Sequence, residues 1–211
     1  DWYNTTLLIK PADGYSIIRA DELTKDKPSF KDSVKFGETE AKDQGVSLSH
    51  YIYLEENATG NITKKVEISN LKLDTIAPYN VNIDFPDVEE KNSVKYYGDY
   101  ITVTFTAYDV TSGVDHFDWK YTRENGASNS NLESDNGTVS AQVDKDDTNK
   151  YSATLTLPRK KAEQLRGNLQ VTAIDKAGNN SVSYTDDGVF VIDTIAPTQK
   201  VEYKQIGRAS V

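Results

Sequence analysis

Apolar and polar residues alternate in short runs along most of the chain. This period of two predicts strands with one face buried and the other wet. The clearest run covers residues 101–108, where Ile101, Val103, Phe105 and Ala107 oppose Thr102, Thr104, Thr106 and Tyr108. Residues 46–55 repeat the pattern, with Val46, Leu48, His50, Ile52 and Leu54 on one face and Ser47, Ser49, Tyr51, Tyr53 and Glu55 on the other. Val81, Ile83 and Phe85 share a face within 79–85, as do Phe117, Trp119 and Tyr121 within 116–122. Further strands are predicted at 4–10, 15–19, 33–36, 62–73, 138–143, 151–157, 168–174 and 180–192. One short helix is predicted, at 159–165. Residues 21–28 and 144–150 are polar and read as loop or turn, 88–97 as an acidic loop or edge, and 123–137, rich in Asn, Ser and Gly, as loop. Pro11-Ala12-Asp13-Gly14, Asn57-Ala58-Thr59-Gly60 and Asp175-Lys176-Ala177-Gly178-Asn179 carry turn chemistry.

The pattern is interrupted twice by nearly the same six residues. These are Leu73-Asp74-Thr75-Ile76-Ala77-Pro78 and Ile192-Asp193-Thr194-Ile195-Ala196-Pro197. Thr and Ile favour extended backbone. Ala before Pro is pushed out of the helical region, and Pro cannot donate to a sheet ladder. Each hexapeptide therefore closes a strand and leads through a short, stiff connector into the next unit. The expected domains are 1–74, a larger unit at 75–197, and a remainder at 198–211, read as a tail or the first strand of another unit on the strength of Val201 and Tyr203.

Composition narrows the class. The 211 residues include 36% hydrophobic side chains, 13 Tyr and no Cys, and the mean hydropathy is −0.64. These values suit thin all-β sandwiches with much surface and exclude a disulfide-stapled scaffold. The net charge of −9 repels phosphate backbones, so nucleic acid is a poor partner. No apolar run approaches the roughly 18 residues a membrane helix requires, so no membrane insertion is expected. The chain opens at Asp1 and is read as a piece of a longer protein.

Three patterns combine into a resemblance. They are Ala107-Tyr108-Asp109-Val110-Thr111-Ser112-Gly113-Val114, Val171-Thr172-Ala173-Ile174-Asp175-Lys176-Ala177-Gly178-Asn179, and the Asp-Thr-Ile-Ala-Pro joints. In this order they resemble the bacterial immunoglobulin-like repeats of large secreted and cell-wall-attached surface proteins. The resemblance implies tandem immunoglobulin-like antiparallel β-sandwich domains, an extracellular or cell-surface location, and a non-catalytic spacer role beside neighbouring repeats. The competing role is an adhesin-type or carbohydrate-binding module that contacts a glycan or a host surface protein.

Candidate chemistry is sparse. His50 and His116 lie on different segments, and no nucleophile elbow, zinc-binding helix or phosphate loop is present, so no catalytic residue is expected. His50 reads as a core or edge histidine. Calcium is the sharpest idea, because carboxylates and backbone carbonyls suit it. Some adhesin repeats with similar joints are stiffened by calcium there, which points to Asp193 with Asp175 as ligands. Against this stands the plainer reading, which the sequence favours: a turn hydrogen bond at Asp175, and Asp74 and Asp193 as linker caps. Asp144-Lys145-Asp146-Asp147-Thr148-Asn149 lacks the Gly and Glu of a calcium loop and reads as a solvated turn. Tyr96, Tyr97 and Tyr100 cluster beside Gly98 and form the candidate glycan platform.

Overall fold

The computed structural model describes residues 1–38, 45, 50–69, 71–125, 134–160, 164–186 and 188–202. The described chain is almost wholly β. Its elements are β1 (Leu7–Ile9), β2 (Tyr15–Arg19), α1 (Ala20–Leu23), β3 (Val34–Phe36), β4 (His50–Glu56) and β5 (Val66–Ile68), then β6 (Tyr79–Asp84), β7 (Glu90–Lys91), β8 (Val94–Tyr97) and β9 (Ile101–Tyr108). β10 (Val114–Arg123), β11 (Ser134–Ser140), β12 (Gln142–Val143), β13 (Lys150–Leu157), β14 (Gln164–Asp175), β15 (Tyr184–Thr185) and β16 (Val189–Asp193) complete the set. Among the described residues, no helix is long and apolar enough to cross a membrane.

Among the described residues the strands form four sheets, and none crosses residues 75–78. Before that point lie β1-β3 and β2-β4-β5; after it lie β12-β13-β9-β6 and β11-β10-β14-β16-β8-β7, with β15 on the flank of β14. Among the described residues, strand pairing is antiparallel except between β16 and β8, and an isolated parallel bridge joins Tyr3 to Leu73. The cores divide in the same way. Ile17, Val34, Phe36, Ile52, Leu71 and Leu73 form one cluster. Val103 and Phe105 of one large sheet and Phe117, Trp119, Tyr121 and Phe190 of the other form the second. The Phe105 and Phe117 ring centroids lie 5.9 Å apart, so these two sheets share one sandwich-like core.

Alternation explains the long strands. In β9 the four residues on the apolar face are buried, and β14 alternates over all twelve of its residues. Each strand sets its apolar face against the opposite sheet and leaves Thr, Asn and Gln outside.

Several sequence expectations change. Of the helix expected at 159–165, Gln164 and Leu165 instead open β14 and pair with Asp193 and Ile192. Leu165 is buried there, and sheet pairing plus burial outweighs a weak local helical preference. Residues 161–163 lie outside the described residues. The loop expected over 123–137 ends in strand, because Ser134, Asp135, Asn136 and Gly137 pair with β10. Gly137 sits opposite Trp119, and a Cβ there would lie 3.1 Å from the indole. The glycine that reads as loop thus makes room for a ring. The expected edge at 88–97 is a hairpin, with Asn92 and Ser93 at positive φ in its turn. The loop expected at 21–28 begins with the single turn α1. Residues 39–44, 46–49, 126–133 and 203–211 lie outside the described residues, and with them the start of the expected 46–55 strand and Tyr203.

Candidate metal centre at the joint

Three aspartates meet beside residues 75–78, across which no sheet pairs among the described residues. Asp74 follows Leu73, which forms a parallel bridge with Tyr3. The Tyr3 carbonyl accepts the Asp74 N–H at 2.9 Å, and Leu73 anchors the position in the first core. Asp109 follows the last residue of β9, and Asp175 is the last residue of β14. β9 and β14 belong to different sheets, and both end beside Asp74.

Each carboxylate closes a turn. Asp74 Oδ1 accepts the Ile76 N–H at 3.0 Å, and its Oδ2 accepts the Ser112 N–H at 2.9 Å. Asp109 Oδ1 accepts from the N–H groups of Thr111 and Gly113 at 3.0 and 2.6 Å. Asp175 Oδ1 accepts from Ala177 and Asn179 N–H, both at 2.8 Å, and Oδ2 accepts from Asn179 Nδ2 at 2.7 Å. The same Asn179 amide reaches the Asp74 carbonyl at 2.8 Å. Gly113 holds φ +80, the left-handed region in which a side chain is strained.

One carboxylate oxygen from each of Asp74, Asp109 and Asp175 lies within 4.8 Å of the others, and all three residues are buried. At that separation each ionised pair repels by about 3 kcal/mol for an effective dielectric near 20. Burial pushes the Asp109 carboxyl above its ordinary value against the N–H bonds that lower it, and the Asp74 charge adds to the rise. Asp175 is raised in the same way, by burial first, with its Asn179 bonds opposing and the charges of Asp74 and Asp109 adding. A cationic side chain is nearby: a Cβ on Gly113 would lie 3.2 Å from Lys176 Nζ. Beside the aspartates Ser112 is buried, and its Oγ has no hydrogen-bond partner among the described residues, although its N–H is committed to Asp74.

This donor set fits a hard divalent cation. It is all oxygen, with three carboxylates and an unpaired hydroxyl close by, and it lacks the imidazole or thiolate that zinc prefers. Asp74, Asp109 and Asp175 would hold the ion. Bound there, the cation would neutralise the repulsion among them.

The structure regroups the expected ligands. Asp175 belongs to the cluster, whereas Asp193 does not. Asp193 pairs with Gln164 at the start of β14, and Asp175 ends that strand. Twelve residues of strand place them about 36 Å apart at roughly 3.3 Å per residue. They cannot share an ion. Asp193 is exposed; its Oδ1 accepts from Gln164 Nε2 at 2.8 Å and Ile195 N–H at 3.0 Å. The hydrogen bond from Gln164 leads the causes that hold its carboxyl below the ordinary value. Asp144 sits in an exposed turn, accepting from the N–H groups of Asp146 and Asp147.

The three tyrosines do not share a face. Tyr96 and Tyr97 are consecutive on β8 and point to opposite sides. Tyr97 packs against the large core and donates its hydroxyl to the Pro86 carbonyl at 2.9 Å. Burial, with nearby acids, pushes that phenol up to about 12. Tyr96 and Tyr100 are exposed. His50 is buried against Phe36, with ring centroids 4.9 Å apart. His116 Nδ1 lies 2.8 Å from Asp115, outside the joint. A scan against protein-family models matches none, and a search of curated proteins finds no match.

Proposed function

We propose that this chain is a pair of non-catalytic immunoglobulin-like β-sandwich modules serving as a spacer in an exported bacterial surface protein, with a divalent cation such as calcium fixing the joint. The observation that carries the reading is Asp74. It ends one module, is fully buried, and accepts hydrogen bonds from its own connector and from a turn of the next module. A flexible tether would leave such a residue in water. Two separate cores and an absence of sheet pairing across residues 75–78 support a bead-like arrangement. Close packing continues beside the aspartates: a Cβ on Gly45 would lie 3.9 Å from Thr111 Cγ2, and one on Gly178 would lie 3.4 Å from Asn4 Nδ2. The scattering of Tyr96, Tyr97 and Tyr100 over two faces gives the glycan-platform alternative less support.

Small-angle scattering on the full chain, with calcium, with chelator and as Asp74→Ala, tests the proposal. The expected result is a narrow range of module separations with calcium, broadened by chelator and by the substitution. Identical profiles under all three conditions would overturn it.

A further inference from the structure

The two hexapeptides differ only at their first residue, yet the structure shows them in two conditions. At both, Oδ1 of the aspartate accepts the N–H two residues on, at 3.0 Å, and the preceding apolar residue, Leu73 or Ile192, is fully buried. The first aspartate is buried under the turns of the following module, and the second is exposed. Next to the exposed one, Thr194 Oγ1 is buried with no hydrogen-bond partner among the described residues. The connector is thus shaped, its charge is in place, and one hydroxyl beside it lacks its bond.

The poles of the two modules also differ. Gly14 carbonyl accepts the Asn57 N–H at 2.9 Å, as Gly113 carbonyl accepts the Lys176 N–H at 3.0 Å. Tyr15 pairs with Glu56 as Val114 pairs with Asp175. Lys10 directly follows β1 as Asp109 follows β9, each four residues before a glycine at positive φ. The first module therefore carries Lys10 and Glu56 where the second carries Asp109 and Asp175. A lysine cannot ligate a cation with its ammonium group, so the two poles are not equivalent acceptors.

We infer that the Asp193 end of the second module is the preformed half of another joint, and that its partner is a β module presenting two aspartate-bearing turns of the Asp109 and Asp175 kind. A pole of the first module's kind, with Lys10 and Glu56, does not complete it. The inference rests on the joint reading above and adds to it a direction and a partner rule: the aspartate comes from the preceding module and the two turns from the following one.

The test extends the chain from Pro197 with a second copy of residues 79–193 in place of residues 198–211. A parallel extension carries Asp109→Lys and Asp175→Glu within the copy alone. Scattering and thermal unfolding with calcium are measured with and without Asp193→Ala. The expected result is that Asp193→Ala broadens the separation between original and copy, and lowers the copy's unfolding midpoint, in the first extension only. In the unextended chain it removes the bonds from Gln164 and Ile195, and the change seen there is subtracted from both extensions. A silent Asp193→Ala in the first extension, an equal effect in both, or a copy that stays unfolded with Asp193 present would overturn the inference. Asp74→Ala in the same chains separates the two readings. If it loosens the existing joint while Asp193→Ala is silent, the spacer reading stands and the partner rule falls; if both are silent, both fall.

Discussion

At Asp109 one oxygen collects two N–H bonds while the residue faces two other carboxylates. Asparagine would keep those bonds through its own carbonyl oxygen and remove one charge from the triad. Asp109→Asn is therefore expected to raise the unfolding midpoint in chelator, by the equivalent of about 1–3 kcal/mol, and to abolish the rise that calcium gives the parent chain. Scanning calorimetry with and without calcium checks both. Much at this scale was legible. The turn role of Asp175 follows from Gly178 and Asn179, and the capping role of Asp74 from the Pro two residues after Ile76. Their meeting was not legible. Asp74, Asp109 and Asp175 are far apart in sequence, and only the pairing order of β9 and β14 brings their ends to one pole. Asp193 misled because its sequence matches Asp74, while its neighbours in space come from the opposite end of β14.

The strand β14 is the element on which the largest sheet turns. It pairs with β10 on one side and with β15 and β16 on the other. Gly167 lies where β14 meets Arg123 at the end of β10, and a Cβ there would fall 2.1 Å from the Thr122 carbonyl oxygen. Backbone cannot yield as a side-chain tip can, so Gly167→Ala is expected to cost about 2–4 kcal/mol through forced separation of the two strands. Chemical denaturation with an unchanged slope would measure it. Alternation made the bodies of β9, β10, β13 and β14 readable. The ends were harder, because composition argued the other way. Gly137 reads as loop until Trp119 is placed against it, and Leu165 reads as helix until Ile192 is found opposite.

For the whole molecule, the joint sets how stability responds to pH. Asp109 and Asp175 are raised in the folded state, so their contribution is complete below the ordinary carboxylate value and is lost as pH rises through the raised values. Without a cation, acidification from neutral pH toward the ordinary carboxylate value is expected to raise the unfolding midpoint. With calcium the sign reverses, because protons displace the ion from the carboxylates that hold it. Thermal scans across that range in chelator and in calcium check the crossing. The all-β class was legible from the short alternations, and among the described residues no sheet pairs across residues 75–78, where the first hexapeptide stands. The burial of the joint was not legible, since nothing local distinguishes Asp74 from Asp193.

The bridge between Tyr3 and Leu73 runs parallel, and so does the ladder from β8 to β16. Antiparallel neighbours pulled from a shared end unzip one bond at a time. Parallel neighbours pulled from opposite ends slide against each other, and their bonds share the load. Tension applied between Asp1 and Asp193 would draw on Tyr3 and Leu73 from opposite ends and load their bridge in shear, so resistance there would reside in a few residues at one edge.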